Sequence, residues 1–299
     1  MKDMPYVHWN GCLVPADEAR VSVFDAGFLY GDGIYETMRS YDGRVFALAR
    51  HLARLERSAL RVHLELPAAE RIQAAVEELV TANGATDAVV RITVTRGPLG
   101  RRLDLSSAGA PSLLVTSDPL AEGADEKRRA GVRVVYSEYL RHSEYPLAGV
   151  KSTNYQVSLF ARNEAREAQA LEALVPNESG EIVEAAAANV FLVKDGELIT
   201  PPLRSGILGG ITREVVIELA RARGYSVREA TLSRAAIETG DELFLSGTTI
   251  QVAPVVRVED RVVGSGRPGP VTLELLDAYL AVVREDIAAS PDAPSERIR

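Results

Sequence analysis

The amino-acid sequence predicts a protein of the α/β class with two domains, in which a small α+β domain precedes a larger one. Its 299 residues are enough for two domains of ordinary size. The first part of the chain alternates hairpin and helix patterns, and residues 118–130 carry the turn formers and mixed charge of a linker. We therefore expect a small domain over 1–117, a linker over 118–130, a larger domain over 131–289 and a polar tail over 290–299.

The small domain is predicted to combine hairpins with two helices. Asn10-Gly11 and Asp42-Gly43 are strong hairpin turns between apolar runs. Apolar residues recur at helical spacing over 48–63, which predicts the first helix. The second helix is predicted to open at Pro67, a favourable first-turn residue, and to end near Asn83-Gly84. The remaining strands are predicted over 88–95 and 112–116.

The larger domain is predicted to begin with the strand Val132–Tyr136. The same patterns predict helices near 155–169, 212–223 and 271–287, with hairpins that turn at 177–180 and 195–196.

Composition excludes several classes of function. A net charge of -8 argues against nonspecific binding to nucleic acid or to an anionic membrane. The single cysteine, Cys12, excludes an internal disulfide, and four scattered histidines argue against a bound metal. The N-terminal residues lack the apolar stretch of a signal peptide, and the chain has no apolar run long enough to span a membrane. We therefore expect a cytoplasmic enzyme or binding protein.

Lysine is scarce in this chain, and one lysine stands in a chemically suggestive place. The four are Lys2, Lys127, Lys151 and Lys194. Lys151 follows Gly149-Val150 and precedes the polar segment 152–154, which ends at Tyr155. A lysine between an apolar residue and such a turn is a candidate to form a Schiff base. The alternative is a partly exposed lysine at the end of a strand.

Two further residues suggest a pyridine ring as the bound group. Glu184 lies between Ile182-Val183 and four alanines, and a carboxylate in an apolar setting needs a partner. A protonated pyridine nitrogen is such a partner, and this pairing makes the ring an electron sink. Tyr155 could donate a hydrogen bond to a ring oxygen beside the imine. The alternative for Glu184 is the solvent face of a strand.

A phosphate site is predicted where a glycine-rich turn opens a helix. Residues 206–210 are followed by Ile211 and Thr212, so backbone N–H groups and a hydroxyl would face an anion. The segment 246–249, Ser-Gly-Thr-Thr, offers more hydroxyls, and Arg54 in His51-x-x-Arg54 offers a full positive charge. The alternatives are a plain helix cap, an ordinary turn and a solvated arginine.

Six motifs in this order resemble the fold-type IV pyridoxal phosphate enzymes. This family includes branched-chain aminotransferases, D-amino-acid aminotransferases, (R)-selective amine transaminases and aminodeoxychorismate lyase. The resemblance covers most of the chain. The motifs are Tyr30-Gly31-Asp32-Gly33-Ile34-Tyr35-Glu36, His51-x-x-Arg54-Leu55, Lys151-x-x-Asn154-Tyr155, Glu184-x4-Asn189-Val190-Phe191, Leu208-x-Gly210-Ile211-Thr212-Arg213 and Ser246-Gly247-Thr248.

The resemblance implies a fold, a cofactor and a set of roles. The larger domain should have a β-barrel-like core flanked by helices. Lys151 should form the aldimine with pyridoxal 5'-phosphate and carry the proton between Cα and C4′. Glu184 should pair with the pyridine nitrogen and Tyr155 with the ring oxygen. The remaining cofactor-binding residues, which hold the phosphate or line the turn beside it, should be Arg54, Leu208, Ile211, Thr212 and Thr248. The resemblance also implies a homodimer whose active sites are lined by both subunits.

The substrate is predicted less directly. Arg101 occupies the position of a carboxylate-binding arginine in the D-amino-acid enzymes and the lyase, but Leu103 stands where the former carry a histidine. Arg91 is a second candidate for the substrate carboxylate because it interrupts an apolar strand. The other predicted substrate-binding residues are Tyr30, Tyr35 and Thr249.

We expect a transaminase that moves the amino group of an aliphatic amino acid, branched-chain L or D, to a 2-oxo acid. The motifs favour an L-branched-chain donor slightly, because Leu103 disrupts the D-specific pair. The alternatives are a lyase of the aminodeoxychorismate type, an (R)-selective amine transaminase and a noncatalytic relative. The presence of Lys151 argues against the last of these.

Overall fold

The computed structural model describes residues 5–99 and 104–289, and these form two β-sheets with helices packed against them. The strands of the first sheet are β1 (Tyr6–Trp9), β2 (Cys12–Pro15), β3 (Gly33–Tyr41), β4 (Arg44–Val45), β5 (Ala88–Thr95) and β6 (Ser112–Pro119). Those of the second are β7 (Val132–Tyr136), β8 (Glu172–Pro176), β9 (Ile182–Ala185), β10 (Asn189–Lys194), β11 (Glu197–Thr200), β12 (Ser226–Glu229), β13 (Glu242–Gly247), β14 (Gln251–Val258) and β15 (Arg261–Val262). The helices are α1 (Ala26–Tyr30), α2 (Leu48–Arg61), α3 (Ala69–Ala82), α4 (Ala124–Arg129), α5 (Gln156–Glu167), α6 (Ile211–Ala222), α7 (Arg234–Glu238) and α8 (Pro270–Ala289).

The first sheet is antiparallel, in the order β2-β1-β6-β5-β3-β4. Along β5 buried and partly buried residues alternate, because successive side chains of a strand point to opposite faces. Val90 and Ile92 therefore enter the core formed with α2 and α3, whereas Arg91 lies on the other face. On β3 the same alternation separates Ile34 and Met38 in the core from Tyr35. The fold thus directs Arg91 and Tyr35 away from the core of the small domain.

The second sheet is mixed and curls into a barrel-like structure. Its order is β12-β11-β10-β13-β14-β7-β8-β9, with β15 paired to β14. Ile182 at one edge exchanges two backbone hydrogen bonds, of 2.7 and 3.2 Å, with Leu232, which follows the strand at the opposite edge. Buried aliphatic residues such as Val190 and Leu245 fill the interior. This architecture confirms the predicted fold class.

Helices cover the outside of the curled sheet. Phe191 and Phe244, stacked with ring centroids 4.8 Å apart, pack with α6 and α8. Helix α5 covers another part of the sheet through small residues, including Ala161 and Ala165. Within the described ranges, no helix is both long and apolar enough to cross a membrane.

The predicted elements differ from the structure mainly at their ends. Helix α3 begins at Ala69 rather than at Pro67, because the intervening Ala68 has extended backbone angles. Helix α1 was not predicted; it is only one turn long, capped by the Asp25 side chain and ended by Gly31 in the left-handed conformation. Strand β6 continues to Pro119, and the next sheet starts at β7. The predicted domain limits remain a prediction.

Candidate active site

A cavity of about 560 Å³ lies between the two sheets. Its walls come from β3, β5 and α2 on one side and from α6 and the β9–β10 and β13–β14 turns on the other. The segment that precedes α5 runs along strand β3 of the first sheet, because Tyr35 N–H donates to Lys151 O at 2.9 Å and Thr153 N–H donates to Gly33 O at 2.9 Å. The backbone of Lys151 is therefore fixed against β3 at the edge of the cavity.

Lys151 faces this cavity. Its ammonium group lies 4.3 Å from the centroid of the Tyr35 ring. Burial lowers the pKa of Lys151 to about 8, and the positive charges of Arg54 and Arg91 act in the same direction. At this pKa roughly a tenth of the amine is uncharged at pH 7, and the uncharged amine is the form that can act as a nucleophile or a base.

Glu184 lies in the same cavity, on strand β9. It is 5% exposed, so it is not a solvent-facing strand residue. Arg141 Nε donates to Glu184 Oε1 at 2.6 Å, and the backbone N–H of Leu208 donates to Oε2 at 3.3 Å. Burial raises the pKa of Glu184 despite these opposing contacts. The long Leu208 contact leaves Oε2 with capacity to accept another hydrogen bond.

Tyr155 lines the cavity beside Tyr35. Its hydroxyl donates to Ala186 O at 3.3 Å, a contact long enough to be exchanged for a better acceptor. The rings of Tyr155 and Tyr35 meet edge to face with centroids 5.5 Å apart. This contact holds the phenol at the cavity wall.

Arg54 is anchored by a buried carboxylate. Glu36, fully buried on the core face of β3, accepts from Arg54 Nε at 2.8 Å and from Arg54 Nη2 at 2.6 Å. His51 Nδ1 contacts the same carboxylate at 2.8 Å. Although burial opposes it, hydrogen bonding by Arg54 and His51 lowers the pKa of Glu36 to about 2. Arg54 is only 6% exposed and lines the cavity, so it is not a solvated helix arginine.

The start of α6 also opens into the cavity. Gly210 precedes the helix, and a Cβ there would lie 2.1 Å from Asn189 Oδ1. Glycine is therefore required at this position, and Asn189 fixes the turn by donating to Leu208 O at 2.9 Å. The 12-residue helix begins at Ile211 and Thr212 and has no side-chain cap. The backbone N–H groups of these two residues are therefore uncapped, and the Thr212 hydroxyl lies in the same turn. Such a helix start is suited to an anion.

The hairpin turn between β13 and β14 supplies hydroxyl groups. Ser246, Thr248 and Thr249 all line the cavity. Ser246 Oγ is fully buried and has no hydrogen-bond partner among the residues that the structure describes. A buried hydroxyl is seldom left unpaired. This orphaned hydroxyl, the open start of α6 and Arg54 together fit a phosphate group.

Four arginines line the cavity in the described part of the chain, and three have a carboxylate partner. Arg54 pairs with Glu36, Arg141 with Glu184, and Arg162 with Glu172 at 3.2 Å. Arg91 instead lies over Tyr35, with its guanidinium carbon 3.7 Å from the ring centroid, and Arg91 Nε donates only to Thr93 Oγ1 at 3.3 Å. Arg91 is thus the cavity arginine with charge available for a substrate.

The predicted residues do not all meet in this cavity. The cavity contains Lys151, Arg54, Tyr155, Glu184, Leu208, Ile211, Thr212, Thr248, Tyr35, Arg91 and Thr249. Tyr30 is absent from its lining and is 52% exposed at the end of α1. Arg101, with Leu103, lies outside the described residues.

Sequence reasoning missed three contributors to the site. Glu36 and His51 were quoted in motifs but not linked to Arg54, although the helical spacing of His51 and Arg54 places both on one face. Arg141 was not singled out. It lies ten residues before Lys151 in an irregular segment, and no pattern marks its contact with Glu184.

Comparison with known proteins identifies the family of this chain. A family model described as amino-transferase class IV matches residues 33–258. A putative branched-chain-amino-acid aminotransferase of Methanocaldococcus jannaschii is 37% identical over 91% of this chain and 94% of its own length. A D-alanine aminotransferase of Bacillus licheniformis is 31% identical over 89% and 93% of the two chains.

A solved structure is similar over almost the whole chain. The branched-chain aminotransferase of Thermoproteus uzoniensis, solved with norvaline, has a TM-score of 0.86 and 33% identity, covering 94% of this chain and 95% of that one. The predictions of the fold type, of an aminotransferase and of its pyridoxal phosphate cofactor are confirmed at the level of the family, because related structures were solved with forms of this cofactor. This chain belongs to the class IV aminotransferase family.

Proposed function

We propose that this protein transfers the amino group of a branched-chain L-amino acid to a 2-oxo acid, with pyridoxal 5'-phosphate as cofactor. The observation that carries the choice of substrate is Arg91. It is the cavity arginine without a carboxylate partner in the described chain, and it shares the Tyr35 ring with Lys151. A guanidinium in this place matches a substrate carboxylate in bidentate geometry.

The cofactor would be held at both ends. Arg54, the start of α6 at Ile211 and Thr212, and the hydroxyl of Thr248 would bind its phosphate, while Leu208 lies in the turn beside them. The carboxylate of Glu184 would pair with the pyridine nitrogen. When bound, the ring supplies an electron sink for the electrons released at the substrate Cα.

Lys151 would move the proton. Its lowered pKa, about 8, means that Nζ can take a proton from the substrate Cα and return it at C4′ of the cofactor. The amine lies over the Tyr35 ring, and the Tyr155 ring packs edge to face against Tyr35, so two aromatic rings would line the place where the proton moves.

A D-amino acid is the second candidate donor. One relative, at 31% identity, is named a D-alanine aminotransferase. By the family resemblance, Arg101 would then bind the donor carboxylate. An (R)-amine has no carboxylate for either arginine to bind, whereas by the family resemblance a lyase reaction would also use Arg101. Donor tests therefore separate the transaminase alternatives, and release of pyruvate from aminodeoxychorismate identifies a lyase.

We propose also that the protein is a homodimer. Phe24, Phe28 and Tyr30 are exposed around α1, and Leu159 and Phe160 are exposed on α5. The two segments adjoin, since Thr153 Oγ1 donates to Gly31 O at 2.7 Å. Exposed apolar residues grouped in this way are typical of a protein interface. In such a dimer, Tyr30 would line the partner's cavity and could bind substrate there, as predicted. The predicted cytoplasmic location stays a prediction.

The oligomeric state is measured by sedimentation at assay concentration. We expect a dimer, and we expect Phe28→Glu to shift the protein toward monomer with loss of activity because a charge enters the apolar face. A wild-type monomer with full turnover would contradict the shared site.

The substrate proposal is tested by the half-reaction with L-leucine, D-alanine and an (R)-amine, followed by absorbance of the cofactor. We expect L-leucine to react fastest. Arg91→Ala should reduce kcat/KM for L-leucine by about 30-fold, about 2 kcal/mol, because a charged hydrogen-bonded pair is lost. Arg101→Ala is the matched comparison and should affect L-leucine little. A loss confined to D-alanine in Arg101→Ala would establish the second candidate instead.

A further inference from the structure

We propose that Arg141 is a positioning residue that keeps the Glu184 carboxylate ionised and aimed at the pyridine nitrogen of the cofactor. This inference rests on the proposed function and deepens it. It assigns a task to a cavity residue that no sequence motif marks.

Arg141 is held at three points. Its backbone N–H donates to Pro176 O at 2.8 Å, which ties the segment to the end of strand β8. Its Nη2 donates to Ser158 Oγ at 2.8 Å, and Ser158 is 1% exposed in the first turn of α5. The third contact is Nε to Glu184 Oε1 at 2.6 Å. The contacts with Pro176 and Ser158 therefore restrict the Arg141 side chain to a position where it contacts Glu184.

The contact with Arg141 favours the ionised form of Glu184. Burial favours the neutral acid, and Arg141 is the strongest opposing influence, with the Leu208 N–H and the Lys151 charge weaker. Glu184 and another buried acid, Glu172, repel each other when both are ionised. Loss of Arg141 should therefore raise the pKa of Glu184 further and favour its protonated form. A protonated carboxyl group has no negative charge with which to keep a pyridine nitrogen protonated.

The geometry also divides the two oxygens of Glu184. Oε1 is taken by Arg141, whereas Oε2 has only the 3.3 Å contact from Leu208. Oε2 is therefore the oxygen free to accept from the pyridine N–H. Arg141 restricts rotation of the carboxylate about its last bond, so the same oxygen stays available.

A matched pair of groups lies beside this one. Arg162, also in the cavity lining, pairs with Glu172 at 3.2 Å, and Glu172 is buried as Glu184 is. Arg162 is about half exposed, with a side-chain accessibility of 49% against 28% for Arg141. Arg162→Gln is the control, because it also removes an arginine of the cavity that pairs with a buried acid, but that acid is Glu172 and not Glu184.

The test uses the holoenzyme reconstituted with pyridoxal phosphate labelled with ¹⁵N in the ring. The ¹⁵N chemical shift reports directly whether the ring nitrogen is protonated. We expect a protonated nitrogen in the wild type and in Arg162→Gln. We expect Arg141→Gln to move the shift toward the unprotonated value and Arg141→Lys to restore part of it. Turnover of Arg141→Gln should fall about tenfold, with KM for the donor changing less, as removal of a supporting residue behind a ligand typically does.

Two further measurements keep the outcome decisive. If Arg141→Gln does not fold, Ser158→Ala removes only the brace and should shift the ¹⁵N signal in the same direction by a smaller amount. In the cofactor-free protein, ¹³C NMR of Glu184, assigned with Glu184→Gln, should show its pKa raised further in Arg141→Gln. A wild-type ¹⁵N shift in Arg141→Gln, or in Ser158→Ala where only that variant folds, overturns the proposal. Wild-type enzyme that transfers no amino group overturns the proposed function instead, because the cofactor-free titration of Glu184 still reports on Arg141.

Discussion

The two halves of the cavity are built on different principles. In the half that we propose to hold the cofactor (the cofactor half), formed by Arg54, Glu36, Glu184 and the start of α6, the charged groups are already paired and anchored. In the half that we propose to bind the substrate (the substrate half), formed by Arg91, Tyr35 and Thr249, the arginine rests on an aromatic ring and has no carboxylate partner among the described residues.

This difference indicates that affinity for the cofactor and selection of the amino donor depend on different residues. Anchored pairs fix the cofactor in one geometry and need not adapt to different donors. An arginine on an aromatic ring keeps its charge available, so the substrate itself must complete the pairing. Changes in the cofactor half should therefore affect every donor equally, and changes in the substrate half should distinguish between donors.

The largest effect should come from the residue at the boundary of the two halves. Lys151→Ala should still bind pyridoxal phosphate through the phosphate site but lose the half-reaction with every donor, by about 10³-fold or more, since the group that moves the proton is gone. Stopped-flow absorbance measures this loss. Lys194→Ala, which changes a lysine bonded to Thr239 far from the cavity, is the control. Borohydride treatment of the wild type should fix the cofactor on Lys151. Peptide mapping that found it on Lys2, Lys127 or Lys194 would refute the assignment.

A smaller and uniform effect is expected from the carboxylate behind Arg54. Glu36→Gln removes the charge that holds the guanidinium, and cofactor affinity should weaken about tenfold, about 1.4 kcal/mol, by equilibrium titration at pH 7. The folded pKa of Glu36, about 2, lies below its ordinary value of 4.5. Its stabilisation is thus present above pH 4.5 and lost as the pH falls toward 2.

The free energy of unfolding should therefore fall less between pH 4.5 and pH 2 in Glu36→Gln than in the wild type, because the variant has no Glu36 carboxylate to protonate. Relative rates with L-leucine and D-alanine should be unchanged by the substitution. A variant that altered this ratio would show that the two halves are not separate.

The cofactor half was largely predictable from the sequence because its parts follow local rules. A glycine-rich turn before a helix and a lysine next to an aromatic turn each carry a local signature, and Gly210 is required by its contact with Asn189. The contacts that complete this half are long-range. Arg141 reaches Glu184 across 43 residues and Arg54 reaches Glu36 across 18, and no local pattern indicates contacts over such separations.

The substrate half was less predictable for a different reason. Strand alternation correctly indicated that Arg91 is unusual on an apolar strand, but only the pairing of β5 with β3 shows that it meets Tyr35. Tyr30 illustrates the opposite case. Its motif suggested a pocket wall, whereas within one chain it lies on an exposed helix end outside the cavity lining, and only the proposed dimer would give it a site.

The smallest effect expected is a change in one titration, and it connects the two halves. Positive charges on Arg54 and Arg91 lower the pKa of Lys151, after burial itself, while Glu36 and Glu184 raise it. Removing the charge of Arg91 should therefore raise this pKa above its value of about 8. The change is measured by ¹⁵N NMR of cofactor-free protein labelled in lysine, where only four side-chain signals occur and Lys151→Ala assigns one of them. In Arg91→Met the Lys151 signal should titrate at higher pH, and the fraction of uncharged amine at pH 7 should fall. Capture of the cofactor should slow accordingly, although Arg91 belongs to the substrate half. If the titration midpoint of Lys151 were unchanged or lower, the charge of Arg91 would have no effect on the pKa of Lys151. The electrostatic coupling inferred from their contacts with the same Tyr35 ring would then be wrong.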